Sequence, residues 1–466
     1  MTDLLDGVVA VLVAGALNAA IIARLGAKGN AADGGFLARV YAVALLIRAG
    51  LAVLLNLFSS DSAFAAAFWG DSFTYDAGGQ VIARSWAGEA ANTEAYKFLS
   101  GYGFVYFVGA VYYVFGRNQF LVQLLNATIG ALTMLIIYAI ARELFGREVA
   151  RQAALFMAFF PQMFFWSAAM YKDPAVLLCI ALCMYAVLRL RERFSVGHLL
   201  SFAGAAVALL TLRFYIFYFV AAATVGSFVF GRGGGLAQRL PAYLLLILVL
   251  VAGVGLVVPA ETLETQRAFM TLNQMQVTRA DQATWGSSAY GTQYDVSTPG
   301  GALVALPVGL IYLLFAPFPW SISGVRQLLT LPETLVWYAL MPAFARGVVH
   351  AVRQRLGAVL PILVFAVTLT WAYALTQGNV GTAYRQRTQV SMFFFVFMAV
   401  GLVERRHRRQ AALEMGHVAT VSLLPAAVPA AAPVVEIADH DLVYPAVVEI
   451  EDYDLVYPDD RQRRDS

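Results

Sequence analysis

Long apolar runs separated by short polar segments make up residues 1–409 of the chain. Five of the clearest runs are Gly7–Leu25, Phe36–Phe58, Gln119–Ile140, Leu240–Pro259 and Ala358–Leu375. Each supplies about 17–23 predominantly apolar residues, which is enough for a helix to cross a hydrocarbon core of about 30 Å. The pattern predicts an all-α polytopic integral membrane protein.

Two further apolar segments are too short or too interrupted to be spans. "GFVYFVGAVYYVFG" (Gly103–Gly116) is rich in Tyr, and "LVALPVGLIYLLFAPFPW" (Leu303–Trp320) is broken by prolines. Tyr is enriched at membrane interfaces, and proline interrupts helices. We expect both segments to form external amphipathic or re-entrant helices, which leaves about eleven spans.

Basic residues beside the spans set the predicted orientation, because Lys and Arg stay on the cytoplasmic side. The basic segments are Arg24–Arg39, Arg142–Arg151, Arg189–Arg193, Arg232–Arg239, Arg346–Arg355 and Arg405–Arg409. Making all of them cytoplasmic places the N-terminus outside and the C-terminus inside. We expect the protein to reside in a bacterial cytoplasmic (inner) membrane.

The same topology places a set of charged side chains at the extracytoplasmic face. The acids are Asp71, Asp76, Glu94 and Asp173, and the bases are Lys97, Lys172, Arg213, Arg385 and Arg387. They lie in a first external loop (residues 59–117) and in short turns, and a second large polar loop (residues 261–302) is on the same side. A charge within the membrane costs about 2.5–3.5 kcal/mol on insertion scales, so several on one face indicate a site.

Each of these charges also has a simpler interpretation. Asp173, followed by Pro174, could serve as a helix cap, and Asp76 or Glu94 could be solvated loop charges. Arg213 could mark a turn between two short helices or reach a lipid headgroup. Arg385 and Arg387 are harder to explain in this way, because they lie opposite the side that basic residues prefer.

Composition agrees with a membrane protein and limits its partners. Hydrophobic residues make up 60% of the chain, charged residues 13%, and the mean hydropathy is +0.69. The net charge of +3 gives no reason to expect a nucleic-acid partner. The His residues fall in the predicted cytoplasmic ends and tail, so no dedicated metal site is predicted on the external face.

Carboxylates beside cations at a membrane surface suit transfer from a lipid-linked phosphate donor. A carboxylate takes the proton of an acceptor hydroxyl as it attacks the anomeric carbon of a sugar, while Lys and Arg stabilise the departing phosphate. That leaving group needs no acid, unlike the leaving group in glycoside hydrolysis. A divalent cation, Mg or Mn, shared by Asp71 and Asp173 could assist the phosphate.

Four motifs between Gly70 and Arg193 carry a family resemblance. They are, in order, "GDSFTYDAGGQVIA", "FVYFVGAVYYVFGRN", "ARELFGRE" with Pro161 in the following span, and "MYKDPAVLL". They resemble the GT-C membrane glycosyltransferases, in particular family 39, which includes protein O-mannosyltransferases and the bacterial lipid A aminoarabinose transferase. The resemblance implies a GT-C-like helical bundle that transfers a sugar from a polyprenyl phosphate to a hydroxyl of a glycan, lipid or protein.

The resemblance also implies roles for single residues. Asp71 is the expected catalytic base, with Asp173 as a second acidic residue. Asp76 either shares the role of Asp71 or is a helix-surface residue. Lys97 is similar to a phosphate-contacting Lys late in the first loop, and Glu94 accompanies it. The further expected contacts to the donor phosphate are Lys172, Arg213, Arg385 and Arg387.

Two other functions fit part of the pattern. A polymerase or ligase of lipid-linked glycans also places arginines and acids outside. A flippase or transporter predicts charges near the bilayer midplane and symmetry between the two halves of the chain. Neither of the features expected for a transporter is visible in the sequence, which favours the glycosyltransferase.

The C-terminal segment, residues 410–466, differs in composition from the rest. An Ala/Pro/Val linker leads to a duplicated motif, "VVEIADHDLVYP" (Val434–Pro445) and "VVEIEDYDLVYP" (Val447–Pro458). We expect a disordered cytoplasmic tail, because the segment is too short to bury a core. It is either idle or carries two copies of a docking peptide for a cytoplasmic partner.

Overall fold

The computed structural model describes residues 2–27, 31–58, 70–96, 102–230, 236–285, 288–322 and 325–422. Within these ranges the chain forms fifteen α-helices and a 3-10 turn at Glu94–Tyr96. The helices are α1 (Thr2–Ala27), α2 (Ala31–Leu57), α3 (Gly70–Trp86), α4 (Gly103–Phe115), α5 (Gln119–Phe145), α6 (Arg147–Phe159), α7 (Pro161–Ala168), α8 (Asp173–Glu192), α9 (Val196–Phe230), α10 (Leu236–Val257), α11 (Ala260–Phe269), α12 (Leu272–Trp285), α13 (Pro299–Phe315), α14 (Val325–Thr376) and α15 (Val380–Ser422).

The chain is an all-α polytopic integral membrane protein, as its sequence predicts. Seven helices in the described part are long and apolar enough to span a membrane, or eight if the bent pair Tyr243–Val257 and Ala260–Phe269 forms one span. This count is lower than the expected eleven. Part of the difference lies in α14, whose apolar stretch Gln327–Thr376 counts once although it is 50 residues long and kinked at Arg355. One crossing needs only about 20 residues.

Three segments that the sequence predicts to be external can be compared with the structure. The two short apolar helices, α4 and α13, occur where the sequence predicts helices too short to be spans. The segment predicted as a second large polar loop, residues 261–302, contains helix α12 and nearly all of helix α11. Glu261 in the first turn of α11, directly after Pro259 and Ala260, is a favourable start for a helix.

The core of the bundle lies around α15. Phe393, Phe395 and Phe397 are at most 2% exposed, and the neighbouring positions on this helix are buried on all sides. A helix that is apolar all round belongs in the interior of a bundle. Around it, α5 packs against α1, α2, α6 and α8, while α9 packs against α8, α10 and α14.

The start of α15 is fixed by main-chain contacts with the segment before α13. Ala289 and Asn379 form an isolated antiparallel bridge, in which Tyr290 N–H donates to Gly378 at 3.0 Å and Val380 N–H donates to Ser288 at 2.9 Å. The arginines of "AYRQR" follow within two turns of this bridge. The bridge therefore fixes the point from which they project.

Residues Met1–Gln410 form one compact unit and Ala411–Ser466 another. In the second unit the structure describes the end of α15, as far as Ser422. The duplicated motif of the tail, and the prediction of a disordered cytoplasmic segment, lie outside the described residues.

Candidate active site

Asp71 stands in the first turn of α3, directly after a glycine that the local backbone requires. Gly70 has a φ of +28°, and a Cβ at this position would lie 3.0 Å from the Tyr171 hydroxyl. A side chain is disfavoured there both by the backbone conformation and by lack of space. The Asp71 side chain is 51% exposed, which leaves its carboxylate open to a reacting group.

Asp173 opens α8 and is completely buried. The turn before it is held by Asn126, whose side-chain amide donates to the carbonyls of Ala169 and Tyr171, both at 2.7 Å. Asp173 occupies the first helical position, and its carboxylate accepts hydrogen bonds from arginine side chains. Its main task is therefore ion pairing rather than capping.

Arg385 joins the two carboxylates. Its Nη1 donates to Asp71 Oδ2 at 2.7 Å, while its Nε and Nη2 donate to Asp173 Oδ2 at 2.9 and 2.5 Å. Its guanidinium carbon lies 4.4 Å from the ring centre of Tyr171 and 5.3 Å from that of Trp166. Arg385 is thus held by two charges and two aromatic faces.

Arg213 completes the pairing of Asp173 from another side. Its backbone is not helical (φ −152°, ψ 83°), so α9 kinks at this residue. Its Nη2 donates to Asp173 Oδ1 at 2.8 Å, and its Nη1 donates to the side chain of Gln386. Arg213 therefore both marks a break between two helical arms, as one interpretation of the sequence held, and belongs to the charged site.

Lys172 adds a third cation next to this cluster. Burial, as the largest cause, and the positive charge of Arg213 together lower the pKa of Lys172 to about 8, while the carboxylate of Asp173 opposes the change. With Arg213 and Arg385 it gives three basic groups around the carboxylates of Asp71 and Asp173. When Lys172 is protonated, the site carries one net positive charge and favours an anion.

Other predicted site residues lie apart from this cluster. Asp76 accepts hydrogen bonds from the Tyr112 hydroxyl at 2.6 Å and from Arg117, which holds α3 against α4 and the turn after it. Burial disfavours the charged carboxylate, but the hydrogen bonds from Arg117 and Tyr112 outweigh it and keep the pKa of Asp76 below its ordinary value. The geometry thus gives Asp76 a structural contact, separate from Asp71.

Arg387 and Glu94 are also placed elsewhere. Arg387 is fully buried, with Nη1 donating to the carbonyls of Leu314 at 2.9 Å and Ala316 at 3.2 Å. Glu94 begins the exposed 3-10 turn, where its N–H bonds the side chain of Asn92. Lys97 lies outside the described residues.

A cavity of about 690 Å³ opens beside the cluster. Asp71 and Arg385 line it, together with the aromatic rings of Trp166 and Tyr171. Farther along its wall stand Glu333 of α14 and Tyr384 of α15. The exposed carboxylate and the bridging arginine therefore face a space that can hold a small molecule.

The sequence interpretation missed four residues of this wall. Trp166 and Tyr171 resemble the aromatic anchors common at membrane edges. Nothing in the sequence therefore indicated that their rings lie against Arg385. Glu333 could have been identified from the sequence, because it is a lone acid in an apolar stretch and such residues are costly in membranes. Tyr384 precedes Arg385 directly and is identified by its contact with Glu333.

The predicted divalent cation can be compared with the arrangement of possible ligands among the described residues. In the ranges that the structure describes, no group of three or more His, Cys, Asp or Glu side chains is arranged to hold a metal ion. Asp71 and Asp173, the pair proposed to share a divalent cation, are joined by Arg385 instead. Assistance by Mg or Mn remains a prediction.

Comparison with known proteins identifies a related family. Residues 101–257 match the family model of the dolichyl-phosphate-mannose-protein mannosyltransferases. This match confirms the resemblance to family 39 membrane glycosyltransferases that the sequence motifs indicated. No curated protein sequence matches the chain significantly.

Two solved structures are similar at low sequence identity. ArnT from Cupriavidus metallidurans, bound to undecaprenyl phosphate, aligns with a TM-score of 0.47 and 16% identity over 78% of this chain and 65% of its own. The apo oligosaccharyltransferase of Archaeoglobus fulgidus aligns with a TM-score of 0.40 and 14% identity over 80% of this chain and 52% of its own. The chain thus spans less than two thirds of either protein.

Proposed function

We propose that the protein transfers a glycosyl group from a polyprenyl-phosphate-linked sugar to an acceptor hydroxyl. The observation that carries the proposal is the single guanidinium of Arg385 bridging Asp71 and Asp173 at the wall of a cavity. A half-exposed carboxylate next to a fixed cation provides a base and a phosphate site side by side. The family match over residues 101–257, whose description names a dolichyl-phosphate sugar, supports the donor class.

In the proposed reaction Asp71 is the general base. The acceptor oxygen forms a bond to the anomeric carbon as its proton passes to the Asp71 carboxylate. The bond between that carbon and the phosphate oxygen breaks, and the phosphate leaves with the electron pair. Arg385 and Lys172 stabilise the negative charge that gathers on the phosphate, so the leaving group needs no proton.

The ion pair between Asp71 and Arg385 suggests how the base becomes available. A donor phosphodiester carries one negative charge, as a carboxylate does, and its phosphate oxygens bind a guanidinium in the same forked manner. When it takes the place of Asp71 on Arg385, the Asp71 carboxylate is released toward the acceptor. Asp173 keeps Arg385 in position during this exchange, because it is buried and also bonded to Arg213.

We place this site at the extracytoplasmic face of the cytoplasmic membrane. Arg385 lies near the start of α15, and the basic run Arg405–Arg409 lies about 20 residues further along the same helix, or about 30 Å at 1.5 Å per residue. Positive residues favour the cytoplasmic side, which assigns Arg405–Arg409 to the inside and the site to the outside. The proposed acceptor is a hydroxyl of a glycan, a lipid or a protein.

The test is sugar transfer in membranes from a panel of radiolabelled polyprenyl-phosphate sugars to native acceptors. Asp71→Asn is expected to abolish the transfer seen with the wild type at equal protein level. Asp295→Asn, on an exposed loop, is the matched control and should leave transfer unchanged. Asp76→Asn should retain transfer per folded molecule, because its carboxylate is bonded to Arg117 and Tyr112 rather than facing the cavity.

Two outcomes would overturn the proposal. Equal transfer by the wild type and Asp71→Asn would exclude Asp71 as the base. Absence of transfer from every donor by the wild type would favour a polymerase, ligase or flippase of lipid-linked glycans.

A further inference from the structure

Glu333 is a buried acid at the wall of the cavity. It lies on α14 directly after Pro332, is only 5% exposed, and belongs to the cavity wall. The Tyr384 hydroxyl donates to its Oε2 at 2.6 Å. Its other oxygen, Oε1, is buried and forms no hydrogen bond with any residue the structure describes.

Neighbouring groups partly offset the cost that burial imposes on a charge at this carboxylate. The backbone N–H of Gln162, in the first turn of α7, is directed toward Glu333. Arg387 lies behind Tyr384, with its guanidinium carbon 5.1 Å from the tyrosine ring, and its Nε and Nη2 likewise form no hydrogen bonds in the described part of the chain. The cost of burying this acid is thus only partly offset by its neighbours, and one of its oxygens has no hydrogen bond with any residue the structure describes.

A buried polar atom without a partner is costly, and such atoms in native proteins call for an explanation. The arrangement here differs from the ion pairs at the other end of the wall, where both oxygens of Asp173 are bonded to arginines. Tyr384 fixes the Glu333 carboxylate through Oε2. What remains, among the described residues, is one buried acceptor oxygen without a hydrogen bond, on a residue of the cavity wall.

We propose that Glu333 recognises a sugar in this cavity by accepting, at Oε1, a hydrogen bond from a hydroxyl or ammonium group of the glycosyl unit. The inference rests on the proposed function and adds a recognition residue on a helix that carries none of the groups assigned to the reaction. The sugar can be the one carried by the donor or one belonging to the acceptor. Both have the same hydrogen-bonding chemistry, so experiment must separate them.

The experiment uses the full-length protein in lipid nanodiscs and two kinds of probe. One is undecaprenyl phosphate, and the other is the set of undecaprenyl-phosphate-linked monosaccharides from the transfer panel. Glu333→Leu should weaken binding of the best sugar-bearing probe about tenfold or more, because a hydrogen bond to a charged group is lost. It should leave the affinity for undecaprenyl phosphate within about twofold, because the phosphate contacts Arg385.

Two further variants control for charge and shape. Glu333→Gln keeps an acceptor oxygen but loses the charge, so its effect should be smaller than that of Glu333→Leu for a hydroxyl-bearing sugar and similar to it for an ammonium-bearing one. Glu404→Gln removes the same charge at a different position, on α15, where Glu404 pairs with Arg408. It should leave the affinity for both probes unchanged.

The outcomes distinguish the source of the sugar and the failure of each proposal. Loss of affinity for the sugar-bearing probe alone assigns Glu333 to the donor sugar. Unchanged donor binding with an increase of about tenfold in the acceptor KM assigns it to the acceptor. Equal loss for both probes, or no change in either measurement, overturns the inference. If Arg385→Ala binds undecaprenyl phosphate as well as the wild type does, the proposed phosphate site itself fails, independently of Glu333.

Discussion

Arg385 and Asp71 are 314 residues apart in sequence, yet their side chains meet at 2.7 Å. The same guanidinium also holds Asp173, which is completely buried while Asp71 is half exposed. The two carboxylates therefore have different surroundings although they share one partner. We expect them to differ in what their loss does to the protein.

Asp173→Asn is expected to lower stability much more than Asp71→Asn. Removing the buried carboxylate leaves Arg213 and Arg385 without their common counter-charge, and breaking a buried ion pair typically costs about 3–5 kcal/mol. Losing the exposed Asp71 carboxylate costs less, because solvent and Asp173 still compensate Arg385. Thermal unfolding of both variants in the same detergent measures the difference. Similar melting temperatures would show that Asp173 does not anchor the cluster.

Arg385→Lys should lower kcat/KM for transfer by about a hundredfold or more, although the charge is retained. An ammonium is a point charge and cannot reproduce the fork that contacts Asp71 and Asp173 together, nor the stacking on Tyr171. A shift of about 1 Å at a reacting group can cost about a hundredfold in rate. Transfer kinetics should be compared with Arg84→Lys, an exposed arginine at the end of α3, which is expected to behave as the wild type. Wild-type kinetics in Arg385→Lys would show that charge alone is sufficient.

Transfer should decline as pH rises through about 8, because the pKa of Lys172 is lowered to that value from its usual 10.5. Above about pH 8 folded Lys172 loses its proton and no longer attracts the donor phosphate, so the KM for the donor increases. Stability moves in the opposite direction. Between the folded and unfolded pKa values the unfolded chain binds more protons, so the free energy of unfolding increases with pH.

Lys172→Arg provides the control for this pH effect. An arginine remains charged throughout this range, so the decline in donor binding should move out of the range or become shallower. The measurement is kcat/KM for the donor, with melting temperature, from about pH 7 to about pH 10. An unchanged pH profile in Lys172→Arg would assign the decline to another group.

The charged site illustrates what sequence alone can predict in a membrane protein. Asp71, Asp173, Arg213 and Arg385 were found because charge near a bilayer is expensive and the positive-inside rule placed them on one face. The cost of charge and the positive-inside rule predict the side of the membrane on which a residue lies, but not the direction in which its side chain points. Arg387 was therefore included with Arg385, although two positions along a helix turn the side chain by about 200°.

Asp76 shows the same limit. Five residues beyond Asp71 on a helix correspond to about 500° of rotation, so the two acids project from different sides of α3. That conclusion requires knowing that residues 70–86 are helical, whereas the sequence suggested a loop. Glu333 was missed for a different reason, because its free oxygen becomes informative only once the partners of the other oxygen are known.

The four charges linked through Asp173 and Arg385 belong to segments that enter the membrane at different times. Chains are synthesised from the N-terminus, so Asp71, Asp173 and Arg213 are inserted before α15 exists. Until then Asp173 can pair with Arg213, whereas the partner of Asp71, Arg385, has not yet been inserted. Arg385, on the last helix that the structure describes, completes the cluster. Biogenesis of the site is therefore completed only when α15 is inserted. A chain that stops before α15 would retain most of the described spans, but it would have neither the bridge between the two carboxylates nor the proposed phosphate site.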